Sequence, residues 1–213
     1  KENAFSTGVA EWRKDKDREE KEKEREAKRR RKEQAAAVRE QYIREQEEAA
    51  RKAVAAAAEA GKKTGLPVCA TMTFDTAKRS MMGITPTDFV QCAEELGLSV
   101  MGANCGVGPA ELMHSTREML ATNSVIPVAA KGNCGIPEYV DGAIHYHGSP
   151  ELMAQYAVFA RDAGATVIGG CCGTTPEHVA AMVEALNSTS KGTFDAAAMD
   201  LALGIAWKNL PDP

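Results

Sequence analysis

From about Ala10 to Ala60 the sequence contains no proline and no glycine. Such a stretch has nothing to break a helix or to make a tight turn, which excludes a fold of several short elements there. No apolar run reaches the roughly 18 residues that a membrane-spanning helix needs. Lys1 to Ala10 has no signal-peptide core, and no initiator Met opens the chain, so its natural beginning is expected to be missing. Basic residues are scarce after residue 63: residues 64–213 carry 7 Lys and Arg against 15 Asp and Glu. The overall charge of −4 therefore averages a charged arm and an acidic body.

What fills the arm is Glu, Lys, Arg, Gln and Ala, all good helix formers. Acidic and basic residues recur at spacings of three and four, as in Glu22 and Glu26 with Arg25 and Arg29, so pairs of opposite sign can form along one helix. Apolar residues are almost absent until Val38, Tyr42 and Ile43. A heptad seam is weak, and a long solvated helix fits better than a strong coiled coil. Arg29, Arg30, Arg31 and Lys32 form a basic cluster, but no aromatic interleaving accompanies it, so nucleic acid is not expected as a partner.

The pattern changes after about Gln46. Ala49, Ala50, Ala53, Val54, Ala57 and Ala58 make a small apolar face at helical spacing, and Gly61 and Gly65 are expected to stop the helix. Short apolar runs over residues 66–74, 98–103, 126–130 and 165–169 read as buried parallel strands. Helices are expected from Thr85 to Leu96, from Pro109 to about Thr122, from Pro150 to Ala163 and from Thr175 to about Leu186. Four βα units at a period of about 30 residues give an α/β class with a parallel sheet. Met72, Met81, Met82, Met101 and Met113 read as core filler.

In such folds ligands meet the carboxyl ends of the strands. Three of the four ends carry cysteine in glycine-rich turns: Gly102-Ala-Asn-Cys-Gly106, Lys131-Gly-Asn-Cys-Gly135 and Gly169-Gly-Cys-Cys-Gly173. With no secretory signal and two adjacent cysteines, reduced thiols in the cytoplasm are expected for the six cysteines. Converging thiolates suit a tetrahedral zinc site, yet the spacing is no standard zinc pattern. Buried cysteines acting as small hydrophobes remain equally open on spacing alone.

The segment Gly169-Gly-Cys-Cys-Gly-Thr-Thr-Pro-Glu-His178, preceded by Gly102-Ala-Asn-Cys105, resembles the homocysteine S-methyltransferase family. That family includes the homocysteine-binding module of cobalamin-dependent methionine synthase and betaine–homocysteine methyltransferase. Lys131-Gly-Asn-Cys-Gly-Ile-Pro137 and Tyr139-Val-Asp-Gly-Ala-Ile-His145 resemble its bacterial betaine-type or corrinoid-linked branch. The resemblance runs from about Glu48 to Leu186. It implies a (β/α)₈ barrel of which this chain holds the second half, four βα units, preceded by a long charged α-helix. It also implies zinc held by Cys105, Cys171 and Cys172, with an open fourth position for the homocysteine sulfur. Asn104 and Asn133 are candidates for the substrate side, orienting the ligand loops or satisfying the turns. Cys134 reads as a non-ligand, because family members often carry Ala there. His178 reads as a helix-start residue, and His145 and His147 as flanking Tyr146 in a loop.

The resemblance implies transfer of a methyl group to the thiolate of homocysteine, giving methionine. The methyl donor stays unidentified: a betaine, a methyl-corrinoid or a sulfonium compound. The barrel's first half, with the groups that grip the amino and carboxylate ends of homocysteine, has no counterpart upstream. Another copy, another chain or a further segment of the natural chain is therefore expected to complete the barrel. The alternative is a non-catalytic structural subunit of a larger assembly that reuses half a methyltransferase barrel. The division expected is 1–47 charged arm, 48–187 half barrel and 188–213 linker with a short helix. In that tail an apolar stretch from Ala196 to Trp207 is expected to pack on the body or a partner.

Overall fold

The computed structural model describes residues 2–75 and 78–204. They form two compact units, residues 1–46 and 47–213. Helix α1 (Glu2–Thr64) supplies all of the first. Its described side chains there are exposed or nearly so, and its ion pairs are local, such as Arg30–Glu26 at 2.7 Å and Arg44–Glu40 at 3.5 Å. Pairs this exposed contribute little each, so the helix rests on the intrinsic preference of its residues.

The second unit opens with the last turns of α1. Ala50, Val54 and Ala58 pack against its core, and Arg51 pairs with Glu95 at 3.6 Å. The helix does not stop at Gly61. It runs on to Thr64 and ends at Gly65, whose φ of +72° lies in the left-handed region that glycine adopts without strain. Gly61 instead serves packing, since a Cβ there would collide with the Val68 side chain.

Four strands form one parallel sheet in the order β1 (Cys69–Met72), β2 (Val100–Cys105), β3 (Val128–Gly132) and β6 (Val167–Gly170). Helices α2 (Pro86–Glu95), α3 (Pro109–Ala121), α4 (Pro150–Ala163) and α5 (Pro176–Ser188) follow them, each with proline in the first turn. That position needs no N–H, so proline starts a helix there at no loss. Thr85 and Asp88 close a reciprocal cap on α2, and Ser149 caps α4. The expected βα units are therefore present, in the arrangement of half a (β/α)₈ barrel after a long helix. The three later strands lie about two residues further along than their apolar runs suggested. The small and polar residues of Asn104, Cys105, Lys131 and Gly132 carry no strand signal, yet the ladder pairs Asn104 with Lys131 and Cys105 with Gly132.

Between β3 and α4 stands an element that the sequence reading missed. Strands β4 (Pro137–Val140) and β5 (Ala143–Tyr146) form an antiparallel hairpin around Asp141 and Gly142, both with positive φ. His145 and Tyr146 therefore lie on a strand and not in the loop expected of them.

The core between sheet and helices is built from Met101, Met113, Met119, Met153, Phe89 and Tyr156, each at most 1% exposed. Met81 does not belong to it: it sits in a turn and is 92% exposed. Helix α6 (Ala196–Leu203) buries Met199 and Leu203 against the same core, while His114 on α3 meets Asp200 at 2.9 Å. The Trp207 end of the expected apolar tail lies outside the described residues. Tyr156 reaches the sheet: its oxygen accepts the Gly132 N–H at 3.0 Å, and burial holds its hydroxyl far above the usual titration range, hence neutral. Replacing Tyr156 by Phe leaves that buried N–H without a partner. The change should lower unfolding free energy by about 1–3 kcal/mol, read as a lower denaturant midpoint at unchanged slope.

Candidate metal centre

The parallel register sets the geometry. Gly132 of β3 pairs with Cys105 of β2 on one side and with Gly170 of β6 on the other. The turns after β2 and β6 therefore flank the end of β3. Cys105 ends its strand with φ of +56°, a left-handed conformation that costs a non-glycine residue energy and is held only by its surroundings. The Cys171 N–H donates to the Gly132 carbonyl at 2.7 Å, and the Cys134 N–H to the Cys172 carbonyl at 2.9 Å.

This brings three sulfurs together. Cys105 Sγ lies 2.8 Å from Cys171 Sγ and 3.5 Å from Cys172 Sγ, and the ligand atoms of all three lie within 4.8 Å of one another. Among the described residues this is the one group of three or more His, Cys, Asp and Glu side chains so placed. Cys105 and Cys171 are half-buried and Cys172 is exposed; none of the three is in a disulfide. Burial, reinforced by the two neighbouring sulfurs, pushes the Cys105 thiol up to about 12. Burial acts the same way on Cys171, but hydrogen bonds from the Cys105 and Cys172 side chains and backbones outweigh it and hold that thiol below its ordinary value.

Three thiol donors and no carboxylate form a soft ligand set, which suits zinc. A tetrahedral zinc with bonds of about 2.3 Å spaces its sulfurs about 3.8 Å apart, so the Cys105–Cys171 pair would part by about 1 Å to hold one.

Asn133, just past β3, is 2% exposed and spans both cysteine-bearing turns. Its amide Nδ2 donates to the Gly106 carbonyl at 2.8 Å, and its Oδ1 accepts the Cys172 N–H at 3.3 Å. Asn104 donates instead to the Thr73 hydroxyl at 3.3 Å, at the end of the first strand. The Cys134 sulfur points away from the trio. It donates to the Gly148 carbonyl and lies 3.0 Å from His178 Nε2. His178 also closes the start of α5, its Nδ1 accepting the Thr175 N–H at 3.1 Å. His145 and His147 stack with ring centroids 6.1 Å apart and lie outside the sulfur cluster.

Tyr146 is the neighbour that sequence reasoning missed. A Cβ on Gly173, the residue after Cys172, would collide with its Cβ and ring carbons, and burial raises its titration point. The hairpin signal at Asp141-Gly142 would have revealed the strand that carries it.

Replacing Asn133 by Ala removes both cross-turn bonds from a buried position. It should lower stability by about 1–3 kcal/mol and speed hydrogen exchange at the Cys172 amide, measured on metal-free protein.

A methionine synthase of Mycobacterium leprae is 32% identical to this chain over 129 residues, 60% of this chain and 11% of that protein. One of Mycobacterium tuberculosis is 34% identical over 115 residues, 54% of this chain and 10% of that protein. The chain thus spans about a tenth of the length of these relatives. A crystal structure of the homocysteine methyltransferase MmuM from Escherichia coli, in an oxidized form, aligns with a TM-score of 0.45 and 23% identity. That alignment covers 62% of this chain and 40% of the other. The model of the homocysteine S-methyltransferase family matches residues 30–186, starting earlier than the Glu48 expected from the motifs. With nearly three quarters of its length matched in this way, the chain belongs to the homocysteine S-methyltransferase family.

Proposed function

We propose that this chain supplies the metal-holding half of a zinc-dependent methyltransferase, which moves a methyl group onto the thiolate of homocysteine to give methionine. One observation carries the reading: the sulfurs of Cys105, Cys171 and Cys172, from two strand ends 66 residues apart, gather within 4.8 Å. Family membership supports the substrate.

The chemical need is plain. A free thiol with a pKa of about 8.5 is only a few per cent ionised at neutral pH, and the thiolate is the nucleophile. Bound zinc would supply a Lewis acid that lowers the pKa of a substrate thiol. The chain's own residues do the rest. Cys105, Cys171 and Cys172 present the sulfurs, and Asn133 ties the two turns that carry them. Asn104, beside Thr73, is proposed for the substrate side of the site.

The open ends of the sheet support a partner. Strands β1 and β6 are its edges, and Val167 on β6 is 45% exposed. Another copy, another chain or a further segment of the natural chain would complete the barrel and grip the amino and carboxylate ends of homocysteine. The donor is a betaine, a methyl-corrinoid or a sulfonium compound. No described helix is long and apolar enough to cross a membrane, and the cytoplasm is the proposed setting.

Cys171→Ser should reduce zinc from one per chain to a small fraction, measured by elemental analysis of the purified chain. Cys134→Ser, whose sulfur bonds elsewhere, should keep full zinc. Retention of zinc by Cys171→Ser would overturn the ligand assignment.

A further inference from the structure

Capping α5 uses only one nitrogen of His178. Nδ1 accepts the Thr175 N–H at 3.1 Å at the start of that helix. The other nitrogen reaches away from the helix: Nε2 lies 3.0 Å from Cys134 Sγ and 3.1 Å from the Gly148 oxygen. Because Nδ1 faces an N–H, the network assigns the ring proton to Nε2, which donates.

Cys134 and Gly148 form one unit at the base of the β4–β5 hairpin. The Gly148 N–H donates to the Cys134 carbonyl at 2.9 Å, and the Cys134 thiol donates to the Gly148 carbonyl at 3.0 Å. The two backbones meet so closely that a Cβ on Gly148 would strike the Cys134 carbonyl and the Gly135 nitrogen. Cys134 is 1% exposed and His178 9%, so these bonds form away from water, where losing one costs most.

That unit in turn holds Cys172. Asn133 Oδ1 accepts the Cys172 N–H at 3.3 Å, and the Cys134 N–H donates to the Cys172 carbonyl at 2.9 Å. The peptide groups on both sides of Cys172 are thus gripped by residues 133 and 134. Thr175, which His178 holds through Nδ1, stands three residues past Cys172. The bonds therefore close a circuit: Cys172 to Cys134, Cys134 to His178, His178 to Thr175, and back along the chain. Cys105 is held by its strand and Cys171 by its bond to Gly132, whereas Cys172 is the exposed member of the three. Its place depends most on this circuit.

We propose that His178 is a positioning residue of the metal centre: its Nε2–H pins Cys134 and Gly148 to the start of α5 and so fixes the turn that presents Cys172. The inference rests on the zinc reading above and deepens it. His178 acts through Cys134 and not on a sulfur of the trio. Outer partners of this kind orient metal ligands, and their loss typically costs about 10- to 100-fold in metal affinity.

The test uses the full 213-residue chain, loaded with zinc or with cobalt(II) as a spectroscopic stand-in. His178→Asn keeps an acceptor near the place of Nδ1 and removes the arm to Cys134 and Gly148. His178→Gln keeps a donor near the place of Nε2 and gives up the cap. Zinc affinity, measured by competition with a chromophoric chelator, should fall about 10- to 100-fold in His178→Asn and stay near the wild-type value in His178→Gln. At saturating cobalt the thiolate-to-cobalt bands should shift in His178→Asn and stay in place in His178→Gln. Lower stability alone does not move those bands, because every folded chain is then loaded at an unaltered centre. Unchanged affinity with unmoved bands in His178→Asn, or an equal loss in both variants, overturns the role of the Nε2 arm. Where His178→Asn fails to fold, amide exchange in the wild-type chain decides. Zinc loading should slow exchange at the Gly148 amide, since a circuit that fixes the ligand is itself fixed by the metal; an unchanged rate overturns the proposal. A wild-type chain that binds no zinc overturns the zinc reading itself, and that first measurement tells the two failures apart.

Discussion

The carboxyl end of the sheet depends on how β3 is held at Gly132. That residue gives its N–H to the buried Tyr156 hydroxyl and its carbonyl to the Cys171 N–H, and it lies in register with Cys105. Three elements are thus tied through one glycine that has no side chain to intrude. The helix α4 that carries Tyr156 also fixes the depth at which β3 ends, because the phenol is fully buried and cannot relocate. A shift of β3 by one residue would turn Lys131 inward and separate Cys105 from Cys171, since side chains alternate between faces along a strand. The sulfur cluster is therefore a consequence of strand register more than of local turn chemistry.

Two kinds of support act around that centre. Backbone register brings Cys105 and Cys171 together over a long sequence separation, which closes a large loop. Side chains then set the details: Asn133 bridges the turns, and the hairpin brings Tyr146 over Gly173. The division makes physical sense. Register is enforced cooperatively by the whole ladder, so it tolerates the cost of a left-handed Cys105 and of three crowded sulfurs. The side-chain bonds are few and local, so each matters individually to the position of one ligand.

Much of this was legible beforehand, for identifiable reasons. Proline at the start of α2, α3, α4 and α5 and the short apolar runs before them announced four βα units. The strand ends were less legible because Asn104, Lys131 and Gly132 have weak strand preference, and only pairing with neighbours extends the ladder through them. Gly61 read as a helix stop because sequence shows its lack of a side chain but not Val68 pressing on it. The trio Cys105, Cys171 and Cys172 came from resemblance, since spacing left metal binding and simple burial equally open. Asn133 and Tyr146 meet turns 39 and 27 residues away, at Cys172 and Gly173, which no local pattern encodes.

Cover is the remaining physical demand. Parallel strands are stable only when both faces and both edges are satisfied. Helices α2 to α5 and the last turns of α1 cover one face, with the methionine-rich core between. The register runs the other way round at the level of Asn104, Lys131 and Gly169, small or polar residues that offer a second apolar layer little to bury. Under the proposed function, a complementing half would meet this face with polar groups and water-excluding shape, which is what a substrate cavity requires and a second hydrophobic core does not. Under the proposed function this separates two affinities. Metal affinity belongs to this chain alone, because all three sulfurs are its own. Affinity for the amino and carboxylate ends of homocysteine belongs to the assembly, because the residues that meet them come from the complementing half.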